Sequence, residues 1–308
     1  MFRMQSVAVA IAAVLLSATA FAGSPTFTRI DNPGDPTFNQ LLGINNAGVI
    51  SGYFGSGQAG HPNQAYTIAP PYTNFVADNL PGATQTQPTA ITTNGATVGF
   101  WSATMNGVGL DENFGFIREA NGFTYLTVNN PLGAGSPYVN QLLGTNTANI
   151  AVGFYTDATG TPQGFAYTVK TGVYTPVTVP GAVSTIATGI NVHNLICGSF
   201  TNDAGITEGF VQPLAGGGVV TIFSVPGFVN TQLLGINAHG MAVGFYADAQ
   251  NIPHGIVYNS VNGEWTEVNN PAGVNGTVLN GINDKGQIVG FYTDGATNTH
   301  GILVTGVQ

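Results

Sequence analysis

Short apolar runs separated by polar turn clusters recur along this chain, and no segment after the first 22 residues carries a helical apolar period. Residues 231–273 show the pattern most cleanly. Gln232-Leu233-Leu234-Gly235-Ile236-Asn237 is apolar and extended, and Ala238-His239-Gly240 has the composition of a tight turn. Met241-Ala242-Val243-Gly244-Phe245-Tyr246 is a second strand, and a polar loop through Asp248 and Pro253 follows it. His254-Gly255-Ile256-Val257-Tyr258 makes a third strand and Trp265-Thr266-Glu267-Val268 a fourth, closed by Asn269-Asn270-Pro271-Ala272-Gly273. The 44 glycines and 17 prolines oppose helix throughout.

The same unit recurs six times. Its marker is Gly-Ile-Asn, read at Gly43-Ile44-Asn45, Ala90-Ile91-Thr92, Gly144-Thr145-Asn146, Gly189-Ile190-Asn191, Gly235-Ile236-Asn237 and Gly281-Ile282-Asn283. Between the third residues of successive markers the steps are 47, 54, 45, 46 and 46. Four short strands every 40–50 residues is the length of a propeller blade, so an all-β, six-bladed β-propeller of four-stranded antiparallel blades is expected. Blades cover each other on both faces, which explains strands that do not alternate and a charged fraction of only 6% beside 43% hydrophobic residues. Glycines after the apolar triplet (Gly52, Gly99, Gly153, Gly198, Gly244, Gly290) are expected where neighbouring sheets crowd. The sixth copy lacks a fourth strand, and Phe27-Thr28-Arg29-Ile30-Asp31-Asn32-Pro33-Gly34 has that strand's character. An N-terminal strand completing the last blade would close the ring.

Residues 1–22 read as a secretory signal peptide: Arg3, an apolar stretch from Val7 to Leu16, and Ala20-Phe21-Ala22 as cleavage site. Residues 23–308 are then one domain, exported to the periplasm or beyond, and bacterial. Four cations remain there (Arg29, Arg118, Lys170, Lys285) against fourteen acids, which argues against nucleic acid or an anionic membrane as partner. No other apolar run is long enough to span a bilayer, so no membrane insertion is expected. The single Cys197 replaces a valine of the repeat and reads as a buried, inert thiol.

No Gly-x-Ser-x-Gly, His-Glu-x-x-His, Cys-x-x-Cys or phosphate-binding loop occurs, so no catalytic residue, metal or cofactor is assigned. Candidate ligand contacts come from the repeat itself. Loops between second and third strands share a face with the blade-to-blade connections, and are the longer ones. They carry Asp157, Asp203, Asp248 and Asp294, while the longest, 102–113, carries Asp111 and Glu112. These acids either hold a cation or take hydrogen bonds from sugar hydroxyls, or each stabilises its own loop through a backbone N–H two residues on. His254 and His300 are repeat-equivalent, with Gln64, Gln163 and Glu208 at the same position elsewhere, which favours local hydrogen bonding. Aromatics end each second strand and fill the wedge between blades, with Trp101, beside the odd loop, the expected exception.

Gly281-Ile282-Asn283-Asp284-Lys285-Gly286-Gln287-Ile288-Val289-Gly290 with His300-Gly301-Ile302 resembles the HAF-type extracellular repeat family of bacteria, over roughly residues 27–305. The resemblance implies secretion and a repeat fold, and carries no reaction with it. The resulting expectation is a secreted, non-catalytic propeller that binds a neutral ligand, a polysaccharide or an exported protein, through its loop-rich face. Two alternatives stand beside it: a glycan lyase or hydrolase using carboxylates near the axis, and a structural matrix component.

Overall fold

In the computed structural model the described residues are 24–307, apart from 59, 104–111, 121, 123, 216 and 217. They form six four-stranded antiparallel sheets and no helix. The inner strands are Asn39–Ile44, Gln85–Ile91, Asn140–Thr145, Ala182–Ile190, Thr231–Ile236 and Thr277–Ile282. Their backbones line a common axial channel. In blade five the second, third and outer strands are Met241–Ala247, Pro253–Asn259 and Trp265–Glu267, each within about two residues of the sequence expectation. The sixth sheet draws on both ends of the chain, because Thr26–Arg29 pairs antiparallel with Thr299–Thr305.

Around the axis the inner strands touch backbone to backbone. A Cβ on Gly43 would lie 2.7 Å from the Ala90 Cα, one on Gly144 2.8 Å from the Gly189 Cα, and one on Gly235 3.0 Å from the Gly281 Cα. Real side chains do not reach such distances without displacement, so small residues here set the radius of the ring. The second-strand glycines do something else. A Cβ on Gly153 or Gly244 would run into the carbonyl of Gln141 or Gln232 on the inner strand of the same blade, beside a register shift. Crowding within the blade, at a β-bulge, and not between sheets is what requires them. Contact between blades falls on the third strand instead: a Cβ on Gly255 would meet Leu279 of blade six at 3.0 Å.

Polar links tie each blade to the next. Asn45 accepts N–H bonds from Ala47 and Val49 on its side-chain oxygen, closing the turn after the inner strand. Its Nδ2 donates to the carbonyl of Thr92 in blade two. The same bond runs from Asn146 to Asn191, Asn191 to Asn237, Asn237 to Asn283 and Asn283 back to Asn45, at 2.9–3.2 Å. Thr92 has no amide and spends its hydroxyl on its own turn, so the belt is open between blades two and three. A second set of links alternates. Leu42, Leu143 and Leu234 occupy one channel-facing position in the odd blades, and Thr89, Thr188 and Asn280 occupy it in the even blades. These three donate to the inner-strand carbonyls of Leu142, Leu233 and Leu41 in the following blade. A three-fold pattern of blade pairs thus lies within the six-fold ring.

The apolar core sits between blades. One cluster joins Ile150, Val152 and Ala166 of blade three to Ala187, Ile196 and Phe210 of blade four, and another joins Val243 and Val257 to Leu279, Ile288 and Ile302. Cys197 is fully buried, and burial pushes its thiol up to about 12, so the sulfur packs as a small apolar side chain. At the boundary of blades one and two, Asp78 stands where other blades carry Val128, Val177 and Val268, and it pairs with Arg118 at 2.6 Å. Burial raises the Asp78 carboxyl to about 6, which the nearby guanidinium only partly offsets.

Two outcomes test this account. Gly235→Ala should lower unfolding free energy by about 1–3 kcal/mol in denaturant titration, because the ring cannot widen at one blade alone. Arg118→Ala should cost about 3–5 kcal/mol by leaving a buried carboxylate unpaired, whereas the double change Asp78→Val with Arg118→Ile should be neutral or stabilising.

Candidate functional site

The longer loops and the blade connections lie on one face, as their hydrogen bonds require: Thr156 N–H donates to Val139 O, Gly55 N–H to Phe38 O, and Ala247 N–H to Asn230 O. On that face a cleft of about 480 Å³ opens across blades one, two and three. One wall holds Phe38 and Tyr53, with ring centroids 6.2 Å apart. The other holds Phe100 and Trp101, and outside the lining a run of rings supports Trp101, which meets Phe114 at 5.1 Å, with Phe114 stacked on Tyr138 at 5.5 Å. Amides from Asn63, Gln85, Gln87, Asn113 and Gln141 lie between the walls.

Each side chain reaches the cleft from the same end of its blade. Gln85 and Gln87 open the inner strand of blade two, Gln141 that of blade three, and Tyr53 and Trp101 close the second strands of blades one and two. Gln141 is fixed by donating to the Asn113 side-chain oxygen at 2.6 Å. The Tyr53 hydroxyl donates to Gln40 at 2.8 Å, and burial raises its pKa above the usual tyrosine range. No Asp, Glu, Lys, Arg or His lies among the described residues of the lining. The surface therefore offers π faces and uncharged donors and acceptors, the chemistry that suits neutral polyols.

The structure sorts the sequence candidates plainly. Trp101 lines the cleft and is half-buried; of its counterparts, Phe54 and Tyr155 are half-buried as well, and Phe200, Tyr246 and Tyr292 are buried. Glu112 is exposed beside the cleft, and Asp111 lies outside the described residues, as does most of the long loop. Asp157, Asp248 and Asp294 are absent from the lining. Each accepts N–H bonds from residues two and four further on, so each stabilises its own loop. Asp203 departs from the expected equivalence: Asn202 holds that turn, bonded by the N–H groups of Ala204 and Ile206, and Asp203 is an exposed neighbour.

The histidines belong to these same loops. His254 Nε2 lies 3.2 Å from Asp248 Oδ2, and buried His300 sits between Asp31, 2.8 Å from its Nδ1, and Asp294, 3.2 Å from its Nε2. In blade three Gln163 donates to Asp157 in the same way. In blade four the pair is reversed, Asn202 donating to Glu208. The exchange of His, Gln and Glu at one position is thus matched by the exchange of Asp and Asn at the other. Among the described residues no group of three His, Cys, Asp or Glu could hold a metal ion.

Sequence reasoning missed Gln87 in the lining and Phe114 and Tyr138 in the run of rings that supports Trp101. Phe114 had a visible signal: Asn113-Phe114-Gly115-Phe116 aligns with Pro253-His254-Gly255-Ile256, so an aromatic replaces the histidine in the blade whose loop is longest. Gln87 corresponds to Ile186 and Val278 in the other even blades. No helix among the described residues is long and apolar enough to cross a membrane.

No family model and no curated protein sequence matches the chain. Solved structures do. The fold is similar to TolB from Acinetobacter baumannii (TM-score 0.55, 11% identity, covering 89% of this chain and 65% of that one). It is similar to AofleA from Arthrobotrys oligospora (TM-score 0.55, 11% identity, 93% and 88% covered). A variant of the Aleuria aurantia lectin, in complex with α-methyl-L-fucoside, matches at TM-score 0.52 with 10% identity, 87% and 93% covered. The chain thus spans about two thirds of the TolB length. At such identities the likeness establishes the propeller fold.

The loop carboxylates make stability acid-sensitive. Hydrogen bonds from Asn298, His300 and Ala296 hold Asp294 down to about 2, and those from Ile252, His254 and Gln250 lower Asp248. Bonds from the Thr159 hydroxyl and nearby N–H groups lower Asp157. A depressed carboxylate stabilises the fold above its unfolded value, about 4, and loses that contribution as pH falls toward the folded value. Thermal melting temperature should therefore drop between pH 4 and pH 2. Asp294→Asn, which keeps the acceptor as Asn202 does, should flatten that drop.

Proposed function

We propose that this protein is an exported, non-catalytic binding module that holds a neutral glycan in the cleft across blades one to three. The observation that carries the reading is the lining itself: two aromatic walls with a row of amides between them and no charged side chain among its described residues. Sugar rings present apolar C–H faces that lie on aromatic rings, and equatorial hydroxyls that both donate and accept. Amide side chains answer both roles without charge. A cleft built this way gains little from an ionic partner, which agrees with the few cations of the chain. Asp248, His254, Asp294 and His300, the acids and histidines of the repeat, are committed to turns outside the cleft. Carbohydrate appears by name in one similar propeller, the lectin in complex with α-methyl-L-fucoside.

The test is incubation with insoluble neutral polysaccharides, measuring both retention on the solid and soluble product. Retention without product is expected. Trp101→Ala should reduce affinity by roughly tenfold or more, and Gln87→Val, which installs the side chain that blade six carries there, should also weaken it. Affinity should stay flat from about pH 5 to 9 and with added salt, since Tyr53 is the titratable group described in the lining and burial raises it. Release of soluble sugar, or binding that follows pH or salt, would contradict the reading.

A further inference from the structure

A second pocket of the same volume, about 480 Å³, lies on the other side of blade one. Tyr53 and Phe54 are consecutive in one strand and so point to opposite faces of the sheet. Tyr53 lines the cleft across blades one to three, and Phe54 lines this pocket. Behind it an apolar cluster joins Leu41 and Tyr66 of blade one to Val289 and Leu303 of blade six. The repeat shows why space is left there. Across from Tyr66 the outer strand of blade one carries Ala77, where the other blades carry Thr127, Pro176, Ile222, Glu267 and Arg29. In blade five the Tyr246 hydroxyl donates to Glu267 at 2.7 Å and joins the end of the second strand to the outer strand. The same two positions in blade one are Phe54, which has no hydroxyl, and Ala77, which has a single methyl. The wedge between blades six and one is therefore underfilled at its outer end.

We propose that this pocket is a second site for neutral glycan, an inference that rests on the reading of the first cleft and makes the protein bivalent. Its lining repeats the chemistry of that cleft. The Phe54 and Tyr66 rings stack at 6.4 Å, and Tyr66 meets Phe75 edge-on at 4.9 Å. Phe54 and Phe75 are half-buried and Ala77 is exposed beside them, so the aromatic wall keeps accessible surface for the C–H face of a sugar. Half-buried Gln64 and Asn79 supply the amides. Asn79 Nδ2 donates to the Gln64 side-chain oxygen at 3.0 Å, and Asn79 Oδ1 accepts the Ala65 N–H. These bonds fix both amides and leave an Asn79 N–H and a lone pair on each carbonyl for ligand hydroxyls. No Asp, Glu, Lys, Arg or His lines the pocket. A polysaccharide, or neighbouring chains of an insoluble one, can engage both sites at once, and release from one leaves the other bound.

Isothermal titration of the intact protein with cellotriose, xylotriose, mannotriose and maltotriose tests the inference. The trisaccharide that binds should do so with about two molecules per chain. Ala77→Ile installs the side chain that blade four carries and fills the pocket, so it should lower the count to about one and leave the first cleft's affinity unchanged. Phe75→Leu keeps an apolar side chain and removes the ring; it serves as the independent variant and should lower the count in the same way. Retention on an insoluble neutral polysaccharide should fall roughly tenfold or more in Ala77→Ile, because the polymer is then held at one place. A single molecule per chain, unaffected by either substitution, would overturn the second site and leave the neutral-glycan reading of the first cleft standing. An undiminished count in both variants would overturn the assignment to this pocket. Absence of binding to these trisaccharides and to every neutral polysaccharide would overturn both.

Discussion

Six strands meet around one axis only because the residues that face each other there are almost all glycine. The Gly43–Ala90, Gly144–Gly189 and Gly235–Gly281 contacts leave no room for a second Cβ between them. That close approach brings the Asn amides within reach of the next blade's carbonyl and lets Thr89, Thr188 and Asn280 bridge to the following inner strand. It also leaves the space between blades to widen outward, where phenylalanines and branched side chains fill it. The polar belt and the apolar wedges are consequences of one steric limit at the axis.

Blade two departs from the repeat at several of these points together. Ala90 stands in the glycine ring, Thr92 breaks the Asn belt, Pro88 replaces the buried leucine of the inner strand, and Phe114 replaces the hydrogen-bonding residue of the third strand. The cleft is centred on the same blade and borrows its other walls from blades one and three. Elsewhere the corresponding glutamines are tied to neighbours, Gln40 to Tyr53 and Gln232 to Asn230. Within that blade the residues that line the cleft are Gln85, Gln87, Phe100, Trp101, Ser102 and Asn113.

Much of the fold was legible because each blade repeats one local code. The Asn turn closes through its own side chain within four residues, so the asparagine marks the end of the inner strand in five of the six blades regardless of tertiary context, with Thr92 in its place in blade two. The Asp loops are equally local, and the swap of Asp–Gln for Asn–Glu between blades three and four can be read directly once the pairing is known. The second-strand glycines were harder. Their spacing is visible, but whether they face a neighbouring sheet or their own inner strand depends on the bulge register. The cleft lay beyond sequence reasoning for a similar reason. It joins Phe38, Trp101 and Gln141, residues a hundred positions apart. Trp101 carried a local sign, its place beside the longest loop, and Phe114 next to it carried another, an aromatic where the repeat has a hydrogen-bonding residue. The Asp78–Arg118 pair was also hidden, because a lone acid in a polar connection gives no sign that it enters an apolar interface.

The chain holds two tryptophans, Trp101 in the cleft and Trp265 on the outer strand of blade five. Their indole N–H resonances give an internal comparison in a ¹H–¹⁵N spectrum titrated with a soluble neutral oligosaccharide. A saturable shift of the Trp101 signal with the Trp265 signal unmoved is the result expected if the cleft is the binding site. A shift at Trp265 alone, or none at Trp101 under conditions where binding is measured, would contradict it.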